Sequence, residues 1–163
     1  MAADLAEEAG LTVPPIPLKM RNQLKQLTPE LWDWVGNPMD VSIWGDSAML
    51  MSEAYRLFLE SEAFDVIIVQ LSSENPNVIG LWVDMITMES DNIIKLSQKR
   101  FKPVIAVTGE GKPSYDDMQN VRWRTICQQK TKLLQARVPT FDTVAEAVNA
   151  LKKCVNYWQR TLI

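Results

Sequence analysis

Phe64-Asp65-Val66-Ile67-Ile68-Val69-Gln70-Leu71 and Lys102-Pro103-Val104-Ile105-Ala106-Val107-Thr108 are the two stretches on which the fold turns. Each is a run of β-branched and apolar residues too short for a helix and bounded by polar or turn residues, the pattern of a strand buried within a parallel sheet. Between them, Asn75-Pro76 offers a cap and a proline at a first helical position, and Trp82, Met85, Ile86, Ile93, Ile94 and Leu96 recur at helical spacing. One helix is predicted there, with Ser90-Asp91 as a point of interruption. Strand, helix and strand make a βαβ unit whose crossover should be right-handed.

The alternation continues on both sides. Asp46 or Ser47 caps a helix carrying Met49, Leu50, Ala54, Leu57 and Phe58, and a polar loop after Thr108 leads to Met118, Val121, Ile126, Leu133 and Leu134. Both show an apolar stripe. Val138 to Phe141 is a short strand, and Thr143 with Glu146 three residues later is a capping box for a last helix bearing Val144, Ala147, Val148, Leu151 and Val155, with Trp158 near its end. With a further strand around Met39 to Ser42, the pattern predicts an α/β doubly wound, mostly parallel sheet of the flavodoxin-like type, lacking its usual first strand. The chain instead begins with a short helical end, Ala2 to Ala9, closed by Gly10 and followed by extended Val13-Pro14-Pro15-Ile16-Pro17. Residues 1–163 are read as a single domain, with 1–35 as helix end and connecting segment and 36–163 as the α/β core.

At 163 residues, 47% of them apolar, the chain can bury one sizeable core. It contains no His, which removes imidazole bases, phosphohistidine and the common zinc sites. A net charge of −3 offers no field that would draw nucleic acid or an anionic membrane to the whole surface. Cys127 and Cys154 lack CxxC spacing and read as core thiols in a reducing compartment, so a cytoplasmic protein is expected. The acidic N-terminus has no signal-peptide pattern, and no apolar run is long enough for a membrane span.

Gly109-Glu110-Gly111-Lys112-Pro113-Ser114 follows a strand, where a phosphate loop would lie, but Ala106 and Pro113 stand where a P-loop needs Gly and a hydroxyl. A plain turn is the simpler reading. Asn37-Pro38-Met39-Asp40, beside Gly36 and flanked by Trp32, Trp34 and Trp44, is a stiff turn whose Asx side chains can bind either local N–H groups or a ligand. Glu60 with Glu62, Asp84 with Glu89, and Asp116 with Asp117 lack the apolar flanks of raised-pKa carboxyls and are read as helix starts and solvated faces.

In order along the chain, Ala2 to Leu11 with Val13-Pro14-Pro15, Gly36-Asn37-Pro38-Met39-Asp40-Val41, Phe64-Asp65-Val66-Ile67-Ile68-Val69, Lys102-Pro103-Val104-Ile105-Ala106-Val107, and Val138-Pro139-Thr140-Phe141-Asp142-Thr143 with Glu146-Ala147-Val148 resemble one domain of the NDP-forming acyl-CoA synthetases. That family includes ADP-forming acetyl-CoA synthetase and is related to succinyl-CoA synthetase. The resemblance covers nearly the whole chain and is to the second flavodoxin-like ligase domain, which faces a phosphohistidine carried by another domain. It implies a component of an enzyme that converts acyl-CoA, ADP and phosphate to acid, CoA and ATP. The partners implied are a CoA-binding domain, a histidine-bearing ligase domain and an ATP-grasp module. CoA, ATP or ADP and Mg are expected in the complete enzyme and none on this chain alone. By the same resemblance, no catalytic residue is expected here, Asn37, Pro38, Asp40 and Ser42 support the acyl or phosphate site, and Gly109 and Gly111 supply loop contacts.

The strand and Gly-Gly loop that open such a domain are missing, which leaves three alternatives: a piece of a longer enzyme, one half of a split enzyme, or a homo-oligomer that closes the gap. The rival function is a non-catalytic flavodoxin-like module for protein interaction or regulatory ligand binding, with the tryptophans at an interface. A flavin site rests on fold analogy alone.

Overall fold

The computed structural model describes residues 2–27, 35–40, 48–71, 79–99, 102–109 and 120–161. The two aliphatic runs form parallel neighbours, β1 (Ile67–Gln70) and β2 (Val104–Val107), in register from Ile67 opposite Val104 to Gln70 opposite Val107. Their ladders close with Ile67 N–H donating to the Pro103 carbonyl at 3.0 Å and Leu71 N–H to that of Val107 at 2.8 Å. A two-residue strand, β3 (Thr140–Phe141), pairs parallel on the other side of β2, giving the order β1-β2-β3.

Six helices are described with these strands: α1 (Ala2–Glu8), α2 (Leu18–Leu27), α3 (Ala48–Glu60), α4 (Ile79–Gln98), α5 (Val121–Gln135) and α6 (Val144–Thr161). They divide between the faces because successive strand side chains point to opposite sides. Val104 and Ala106 face the cluster that holds Met51, Tyr55 and Leu59 of α3, Trp82, Ile86, Ile93 and Leu96 of α4, and Ile126 and Leu133 of α5. Ile105 and Val107 face Ala147 of α6, with Val144 and Leu151 alongside, and α1 packs on α6. A third cluster, Ile16, Met20, Leu24, Val35, Ala54, Leu57 and Phe64, seats α2 against α3.

Four details correct expectations. α4 runs unbroken through Ser90, whose hydroxyl donates to the Ile86 carbonyl at 2.8 Å and so satisfies itself inside the helix. The segment taken as a connector contains α2, whose Met20 and Leu24 share a buried face four residues apart. Val121 and Leu134, placed on a core stripe, are 45% and 53% exposed, because Thr125 and Gln129 occupy part of the inward face of α5. Met39 and Asp40 are not in a strand, and the rest of that predicted strand lies outside the described residues.

Both predicted end signals take the expected form. Gly10, at φ +80°, ends α1 with N–H bonds from Gly10 to Glu7 and from Leu11 to Ala6, a geometry that disfavours any residue with a Cβ. At the start of α6, Glu146 N–H donates to Thr143 Oγ1 while the Thr143 and Asp142 N–H groups donate to Glu146 Oε2, each at 3.2 Å.

Candidate functional site

The Asn37 turn is built from the inside. Val35 is buried and Met39 packs on the α2–α3 cluster, so the residues between them are held outward as a short bridge. The Asn37-Pro38 peptide is cis, and Asn37 Nδ2 donates to the Pro14 carbonyl at 2.9 Å. That bond ties the segment after α1 to the turn across 23 residues of sequence. Pro38 and Asp40 are exposed, and Asn37 Oδ1 accepts nothing from the described residues. The turn therefore presents an amide oxygen on an anchored loop, with the exposed Asp40 three residues further on. Ser42, Trp32, Trp34 and Trp44 lie outside the described residues, as do Gly111 and the Asp116-Asp117 pair.

A second cluster lies at the carboxyl ends of the strands. Thr108 is 4% exposed and its hydroxyl donates to the Phe141 carbonyl at 3.3 Å, locking the end of β2 to β3. Gly109 then turns the chain away at φ +78°, a conformation that favours glycine. Beside them an open cavity of about 460 Å³ is lined by Lys130, Thr140, Phe141, Asp142, Glu146 and Lys153, with Lys130 paired to Asp142. The first turn of α6 is filled by its own Glu146 carboxylate, which takes the place an external anion would use. α5 differs: a neutral cap, Asn120 Oδ1 accepting from Arg122 N–H at 2.9 Å, precedes a first turn with Arg122 and Arg124 and no acidic residue. Cations there oppose the helix dipole, so this end favours an anion nearby. The spacing Asn120, Arg122, Arg124 after the Gly109 loop was the signal available in sequence.

At the opposite ends of the strands, a cavity of about 530 Å³ is lined by Leu59, Glu60, Glu62, Phe64, Asp65 and Lys102. Lys102 Nζ donates to the carbonyls of Ser61 at 2.5 Å, Phe64 at 2.7 Å and Phe58 at 3.4 Å. Burial lowers the Lys102 pKa, while Asp65 and Glu62 pull it upward. An ammonium held by three carbonyls at the end of α3 is a tether between that helix and β2, not a nucleophile.

The carboxylate misread most clearly is Glu89. It is 1% exposed, in the spacing Trp82, Ile86, Glu89, Ile93, Leu96, which steps by four and three along the inward face of α4. Near it, Tyr55 is held well above the ordinary tyrosine range by burial first and by the Glu89 charge second. Gln129 Nε2 donates to Thr87 Oγ1 at 3.0 Å, joining α5 to α4. Glu89 with Tyr55 thus places polar groups between α4 and α3, and Thr87 with Gln129 between α4 and α5. Neither cysteine is a core thiol: Cys127 is half-buried, and Cys154 is exposed because it falls beside the stripe of α6.

Among the described residues no three Cys, Asp or Glu side chains come together to hold a metal ion, and no helix is long and apolar enough to cross a membrane. Comparison of the chain with protein-family models, with curated proteins and with solved structures finds no match.

Proposed function

We propose that this chain is a flavodoxin-like ligase-domain component of an ADP-forming acyl-CoA synthetase, working in the cytoplasm and inactive alone. Its role is to shape the acyl or phosphate site beside a phosphohistidine carried elsewhere and to contact the CoA-binding, histidine-bearing and ATP-grasp parts. The observation that carries the reading is the Asn37–Pro14 hydrogen bond. Two of the motifs on which the resemblance rests, Val13-Pro14-Pro15 and Gly36-Asn37-Pro38-Met39-Asp40, are distant in sequence yet brought together through the very residue the resemblance singles out. Further support comes from the parallel order β1-β2-β3 with α1 and α6 on one face and α3, α4 and α5 on the other, the layering of a doubly wound sheet. A chain without His can face a phosphohistidine but cannot carry it.

The test is acyl-CoA-dependent ATP formation from ADP and phosphate, assayed with this chain alone and with candidate partner subunits. Activity is expected only in the reconstituted complex, and Asp40→Ala should lower kcat there by roughly 10–100-fold, the loss typical of one positioned polar group. ATP formation by the chain alone, or an Asp40→Ala complex as active as its parent, overturns the reading.

A further inference from the structure

We draw no further inference here: the strongest candidate, the outer edge of β1, where the N–H groups of Ile68 and Gln70 point away from β2, carries none, because nothing in the structure shows what covers it.

Discussion

β1 and β2 are alike in length and aliphatic character and lie side by side, yet they live differently. Every residue of β2 is buried, from 0% exposed at Ala106 to 6% at Ile105, whereas in β1 only Val69 is buried and Gln70 is exposed. The cause is pairing. β2 has a neighbour on each side, while among the described residues β1 pairs only with β2. In a parallel ladder alternate residues bond to alternate sides, so Ile67, Val69 and Leu71 turn their N–H groups to β2 and Ile68 and Gln70 turn theirs outward. An aliphatic run marks a strand; whether that strand is central or at an edge depends on residues far away in sequence.

Hydrogen exchange gives the largest expected contrast. The N–H groups of Ile68 and Gln70 should exchange roughly 10³-fold faster than those of Ala106 and Val107, which open only with the fold itself. Equal protection would break the comparison, since it requires another strand on the outer edge of β1 in solution; repeating the measurement on dilution distinguishes a strand of the same molecule from one of a second.

Ile105 and Ile68 sharpen it. They are register partners, and both point to the face covered by α6, so the same truncation compares centre with edge. Ile105→Ala should cost about 3 kcal/mol, as for a fully buried aliphatic, and Ile68→Ala about 1 kcal/mol, because its site is already partly open to water. Urea unfolding of both variants measures the difference, and equal costs would mean that the edge is covered.

What could be read from sequence follows the same division. Three of the strands, the capping box and the Gly10 turn are local, set by a few neighbouring residues, and they stand within three residues of their expected places, whereas Met39 and Asp40 of the fourth expected strand are not in one. What escaped was what depends on partners. α2 was lost because a short polar helix with two buried residues leaves a faint stripe, and Glu89 because a carboxylate is assumed to seek water even when its spacing points inward. Of the candidate site, the Asn37-Pro38-Met39-Asp40 turn was legible as a stiff bend, but its bond to Pro14 spans two segments that no local pattern relates.

The smallest effect separates the edge of β1 from its face. Tyr55 of α3 lies in the cluster that covers Val69 and Val104, and it is 8% exposed, so the face beside the open edge is closed. Burial, reinforced by the Glu89 charge, raises its pKa above the ordinary 10.0. Below pH 10 the phenol is neutral in both folded and unfolded chains and stability does not depend on it. Above pH 10 the unfolded chain releases the proton while the folded chain keeps it, so stability falls as pH rises, by at most about 1.4 kcal/mol per pH unit. Tyr55→Phe should remove that part of the alkaline slope, measured as urea midpoints between pH 9 and 11, roughly the span about the ordinary phenol value. Glu89→Gln should reduce it by less, because the charge is the second cause and burial the first. A Tyr55→Phe chain with the parent's alkaline slope would mean that water reaches the phenol, and that β1 is open on its face as well as along its edge.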